Sequence, residues 1–182
     1  DYGRDVILDN DFSASLFDPK IDHLRFIDDL RWTDFEFLRD GSGDTLTLQV
    51  LGTDDAVILT DYLEYIFLVG YINRLEDVTF GDGTVWTSYK LLQHYVDIAK
   101  TVGDDLIYGF ETIDDRIDGG AGNDRLEGQS GNDLYVFGSG YGADVVRDTE
   151  GDDRIDFTTI ASTQVDFSRT ALDLIVTVRG TG

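Results

Sequence analysis

GGAGNDRLEGQSGNDLYVF, residues 119–137, carries nearly the same message twice, nine residues apart. Gly122-Asn123-Asp124 returns as Gly131-Asn132-Asp133, and Leu126 returns as Tyr135. The pattern extends outward in degenerate form through GDDLIY (103–108), DDRID (114–118), GADVV (142–146) and GDDRID (151–156). Its apolar anchors are Ile107, Ile117, Leu126, Tyr135, Val146 and Ile155, spaced by 10, 9, 9, 11 and 9 residues. Two residues before each anchor stands an aspartate: Asp105, Asp115, Asp124, Asp133, Asp144 and Asp153. Six loop residues and three strand residues make half a turn of a flattened parallel coil, with one apolar side chain per strand pointing inward. Glycine lets the loop backbone reach φ > 0 and approach an ion closely. Aspartate and loop carbonyls are hard oxygen ligands of the kind Ca²⁺ takes. Stacked carboxylates repel one another without a cation, so the step of nine predicts a metal-dependent solenoid.

The composition agrees. The 182 residues include 37 acidic and 14 basic side chains, a net charge of −23, and 31 of the acids are aspartate. Aspartate favours turns, where a short carboxylate meets backbone or metal. The acid excess argues against a nucleic-acid partner, because phosphates are repelled, and against an anionic membrane surface. With no cysteine, disulfides and thiolate zinc sites are excluded. No apolar run approaches the length of a transmembrane segment. The N-terminus, DYGRDVILDN, lacks a signal-peptide pattern, and methionine is absent, as expected of a piece of a longer protein.

A second, longer repetition frames the first. YGRDVILD (2–9) parallels YGADVVRD (141–148), IDHLRF (21–26) parallels DDRIDF (152–157), and DFEFLRDGSGDTLTLQVLGT (34–53) parallels DFSRTALDLIVTVRGTG (166–182). The chain is therefore expected to hold slightly more than one unit of a long-period array. Between the copies, residues 21–87 read as short alternating strands. RDGSGDT (39–45) and FGDGT (80–84) are the expected hairpin connections, with Asp82-Gly83 at a tight turn. YLEYIFLVGYI (62–72) suits either a buried strand or a short helix. TSYKLLQHYVDIAK (87–100) is the clearest helix, capped by Thr87 or Ser88, with Leu91, Leu92, Tyr95, Val96 and Ile98 as its apolar stripe.

These motifs carry a family resemblance. GGAGNDRLE (119–127) fits every defined position of the G-G-x-G-x-D-x-U-x nonapeptide of the RTX (repeats-in-toxin) family. GQSGNDLYV (128–136) departs only at Gln129, and Ile113 stands where a further glycine is expected. FGDGTVWT followed by a helix, after GDTLTL, resembles the haemolysin-type calcium-binding-related domain found beside such repeats. The resemblance implies a mostly β fold: a parallel β-roll (RTX solenoid) packed against a small β-rich domain with one helix. The expected organisation is a partial turn over 1–20, the related β domain over 21–100 with its helix near 88–100, the roll over 101–157, and the start of a next unit over 158–182.

In such a roll each Ca²⁺ lies between successive loops on the same edge, and several ions bind. Carried over, one edge holds Asp105, Asp124 and Asp144, and the other holds Asp115, Asp133 and Asp153. Carbonyl donors would be Gly119, Ala121, Gly128 and Ser130, with Asn123 and Asn132 contributing from the position before each aspartate. Asp5, in YGRD, would begin a similar turn. The step of nine puts alternate loops on opposite edges, so Asp124 and Asp133 are not expected to share an ion.

His23 and His94 are isolated and read as surface or packing residues. No nucleophile elbow, zinc helix motif or phosphate loop appears, so the chain reads as non-enzymatic. The aromatic residues suit core packing better than a sugar-stacking surface. The resemblance implies an extracellular calcium-binding structural module of a large secreted bacterial adhesin or toxin, exported by a type I system and folding on calcium outside the cell. Its expected partners are calcium and neighbouring repeat units. A glycan- or receptor-binding adhesin module, or the non-catalytic tail of a secreted enzyme, are the rival readings.

Overall fold

A computed structural model describes residues 4–7, 23–26, 29–39, 45–60, 65–66, 70–71 and 75–179. The chain divides into two compact units, residues 1–95 and 96–182. Strands dominate both units, and a single helix stands among the described residues.

In the first unit, β1 (Arg4–Ile7), β5 (Ala56–Leu59), β4 (Leu46–Val50) and β3 (Phe35–Arg39) lie side by side in that order. β3 and β4 pair antiparallel from Phe35↔Val50 to Arg39↔Leu46, the hairpin expected there, with its connection (40–44) outside the described residues. β5 runs antiparallel to β4 and parallel to β1. The period-two pattern decides which face turns inward: Phe35, Phe37, Leu46, Leu48, Ala56 and Ile58 are buried and alternate with more open residues, except at the end of β5, where Leu59 is buried too.

A second sheet joins β2 (His23–Arg25), β8 (Asp77–Thr79) and β9 (Val85–Thr87). The β8–β9 hairpin turns where Asp82-Gly83 is expected to turn it: Gly83 has φ +85°, and Asp82 Oδ1 accepts the Thr84 N–H at 2.9 Å. The described part of segment 62–72 is a short antiparallel pair, β6 (Tyr65–Ile66) with β7 (Gly70–Tyr71).

The helix α1 spans Ser88–Ile98, and Thr87 Oγ1 caps it by accepting the Lys90 N–H. Leu91, Leu92, Tyr95 and Val96 are buried as the helical spacing predicts. Ile98, in the last turn, is exposed, which corrects its place in the stripe. Aromatic rings fill the first unit's core. Trp86 stacks on Phe37, Phe80 meets Phe35 edge-on, and His94 packs edge-on against Phe37 at 4.6 Å. His23 bonds Asp77 across the β2–β8 pair. Both histidines thus serve packing or surface pairing, as the sequence suggests.

The second unit stacks short parallel strands. β10 (Leu106–Tyr108), β12 (Arg125–Ser130) and β14 (Val145–Glu150) form one sheet. β11 (Arg116–Asp118), β13 (Leu134–Phe137) and β15 (Arg154–Phe157) form the other. The chain alternates between the sheets, so each anchor pairs with the anchor two nonads away: Ile107↔Leu126↔Val146 and Ile117↔Tyr135↔Ile155. Ile107, Ile117, Leu126 and Tyr135 are buried; Val146 and Ile155 are not. Those last two lie on β14 and β15, which have a strand partner on one side only among the described residues. The two sheets are short, without the closure of a complete solenoid. Beyond them β16 (Val165–Arg169) and β17 (Leu174–Val178) form an antiparallel hairpin.

Candidate metal centre

The six repeat aspartates sit in the loops that enter β10 to β15, and parallel stacking draws them into two ladders. In one, Asp124 Oδ1 accepts the backbone N–H of Asp105 and Asp144 Oδ1 accepts that of Asp124, both at 2.9 Å. In the other, Asp133 Oδ1 accepts the Asp115 N–H at 2.8 Å and Asp153 Oδ1 accepts the Asp133 N–H at 3.1 Å. Asp124 and Asp133 stand in different ladders, as the step of nine demands.

This geometry uses one oxygen of each central carboxylate and strands the other. Asp124 and Asp133 are each 1% exposed, and Oδ2 of both is buried without a hydrogen-bond partner. A buried ionised carboxylate with an unmatched oxygen is costly unless a cation or donor meets it. Glycine leaves room beside each one. A Cβ on Gly119 would strike Asp124 Oδ2, and a Cβ on Gly128 would strike Asp133 Oδ2. The loops also touch across turns: a Cβ on Gly151 would collide with the Gly131 carbonyl, which accounts for glycine at that place in the repeat. Ala121 lies exposed in its loop.

Further rungs brace the ladders. Asp104 Oδ1 accepts both the backbone N–H and the side-chain amide of Asn123, whose own Oδ1 accepts the Ala143 N–H. Asp114, Asn132 and Asp152 repeat the arrangement on the other edge. The asparagine side chains therefore hold successive loops at a fixed spacing. Ser130 Oγ likewise bridges turns, donating to Glu111 at 2.6 Å and accepting the Thr112 N–H at 3.0 Å. Asp5, the remaining candidate, lies within β1, whose backbone pairs with β5.

Family comparison coincides with this ladder. Residues 112–141 and 139–156 match the RTX calcium-binding nonapeptide repeat. The chain carries RTX repeats. Residues 45–89 match the haemolysin-type calcium binding protein related domain. Comparison with curated proteins and with solved structures gives no match. RTX repeats of this kind bind Ca²⁺.

Within the RTX repeats one edge has a feature that the nonapeptide pattern does not announce. Asp133, Asp148 and Asp153 each bring a carboxylate oxygen within 4.8 Å of the others. Asp148 lies two residues past the anchor Val146, after the eleven-residue step, and faces Gln129 at an irregularity in the β12–β14 pairing. The Tyr135 hydroxyl donates to Asp148 Oδ2, and its own burial and that bond push its ionisation well upward. Burial raises Asp133 to about 6; the Asp115 N–H works against this, and the charges of Asp148, Asp153 and Asp114 add to it. Burial also raises Asp144, countered by the Asp124 N–H. An oxygen-rich group of carboxylates in which burial holds Asp133 above its ordinary range suits a hard cation, whose binding displaces that proton.

Gly109 was equally hidden. It sits beside Asp115 Oδ2 as Gly119 sits beside Asp124, but one extra residue separates it from its aspartate.

Proposed function

We propose that residues 101–157 form a parallel β-roll that takes calcium along both edges and serves as a structural, non-catalytic module. One edge uses Asp105, Asp124 and Asp144. The other uses Asp115, Asp133 and Asp153, with Asp148 as a further carboxylate. Backbone carbonyls of Gly119, Ala121, Asn123, Gly128, Ser130 and Asn132 complete the oxygen shells. The observation that carries this reading is the pair of buried, unpartnered Oδ2 atoms on Asp124 and Asp133, each beside a glycine that leaves space. Calcium supplies the missing positive charge, and because it binds only the ordered loops its binding free energy becomes folding free energy. At a hundredfold excess over Kd that is about 2.7 kcal/mol per site.

The same reading extends to the whole protein. The module belongs to a large exported bacterial RTX protein, an adhesin or toxin, that stays loose where calcium is scarce and orders outside the cell. Its nearest neighbours are further copies of the unit.

Circular dichroism and calorimetric titration test the calcium reading. Strand signal should rise with calcium and collapse in EGTA, with more than one ion bound per chain. A chain equally folded in EGTA, with no heat of calcium binding, would overturn it.

A further inference from the structure

The long-range repetition has a structural counterpart. A 3-10 turn at Trp32–Asp34 leads into β3 and β4, and a 3-10 turn at Ser162–Gln164 leads into β16 and β17. The two hairpins share one register: Phe37↔Leu48 and Arg39↔Leu46 correspond to Phe167↔Val176 and Arg169↔Leu174. By sequence, β1 corresponds to β14 and β2 to β15. The second set has no counterpart of residues 55–100 within the chain.

Exposure differs sharply between the two sets. Phe37 is 5% and Leu46 0% exposed, whereas Phe167 and Leu174 are each 66% exposed. In the first set β5 lies between β4 and β1, and β8 lies beside β2. Among the described residues the equivalent edges of β17, β14 and β15 are unpaired, and Val146 and Ile155 are uncovered. Open apolar edges of this length invite a strand partner.

We propose that the free edges of β14, β15 and β17 form the docking site for the segment equivalent to residues 55–100 in a following copy of this unit. The β5 equivalent enters between β17 and β14 as β5 enters between β4 and β1. The β8 equivalent adds to β15 as β8 adds to β2. Both interfaces continue pairings already present in the chain, so the occupant is defined on two sides: antiparallel to β17 and parallel to β14. The two roll sheets then run on into the β domain of the next unit, and successive units share continuous sheets instead of hanging on linkers. This rests on the reading of the chain as part of an array and does not depend on which ions the roll takes.

The test is a chain extended after Gly182 by a second copy of residues 55–100, compared in calcium with the 182-residue chain by hydrogen exchange. Amides of β14, β15 and β17 should exchange at least tenfold more slowly in the extended chain, and the copied Trp86 should show blue-shifted emission. The same extension carrying Ile58→Ser and Leu92→Ser in the copied segment should lose both effects. Unchanged exchange at β14, β15 and β17, or protection confined to the copied segment, would overturn the proposal. So would equal protection appearing in the unextended chain as its concentration rises, which would assign these edges to a self-paired dimer. Calcium-dependent folding of the unextended chain is read separately by circular dichroism, so failure of one reading is distinguishable from failure of the other.

Discussion

Asp133 and Asp148 aim carboxylate oxygens at one point, the place that a Cβ on Gly128 would occupy. Gly128→Ala therefore fills the space expected for an ion and drives a methyl group against two carboxylates and the Tyr135 hydroxyl. Overpacking of this kind costs about 1–3 kcal/mol. The thermal midpoint in calcium should fall accordingly, and calorimetry should count fewer ions than for the wild type. An alanine variant with unchanged stoichiometry and midpoint would show that the space beside Gly128 takes no ligand.

Among the described residues only the Asp133 edge gathers three carboxylates within reach of one another, so Asp148→Asn separates the edges. Removing its charge should weaken the tightest calcium step by at least about tenfold, the loss typical even of groups that only support a metal ligand. Sites that use Asp105, Asp124 and Asp144 should keep their affinity. Tyr135→Phe, which removes only the hydroxyl donor to Asp148, should give a smaller loss in the same step. Equal weakening of all steps by Asp148→Asn would argue for a general charge effect.

The raised Asp133 carboxyl sets a pH window. Between the ordinary value of 3.8 and about 6, the folded calcium-free chain holds a proton that the unfolded chain has lost. Stability without calcium should therefore fall as pH rises through that range. With calcium the dependence reverses, because protons compete with the ion and apparent affinity should drop below pH 6. Chemical denaturation at pH 4.5 and 7, with calcium and with EGTA, checks both signs. Parallel pH trends in the two conditions would contradict the exchange of proton for cation.

Gln129 stands where the nonapeptide has its second glycine, and its φ is +77°. It lies at an irregularity in the β12–β14 pairing. A residue with a Cβ is strained in that region by about 1–2 kcal/mol, so Gln129→Gly should raise stability by about 1 kcal/mol. Part of the relief is offset by the freer unfolded chain. The gain should appear as a higher thermal midpoint in calcium without a change in ion count. A lower midpoint would mean that the Gln129 side chain makes contacts worth more than the strain.

Much of this arrangement was legible from one dimension. The nonapeptide step named the six aspartates of the two ladders and sorted them onto two edges, because a parallel coil places every second loop in register. The helix and the β3–β4 and β8–β9 hairpins followed from helical spacing, alternation and Asp-Gly turns. The tertiary structure alone decided the rest. Stacking, rather than spacing, brought Asp148 to Asp133, across an irregularity in the β12–β14 pairing that a nine-residue step does not announce. It also revealed Asn123 and Asn132 as rungs between loops. It left Val146 and Ile155 exposed although their pattern matches Leu126 and Tyr135, because burial of a strand's inward residue depends on what covers it. A periodic sequence specifies which residues recur; which oxygen is left without a partner, and which edge is left open, depends on the neighbours that the fold supplies.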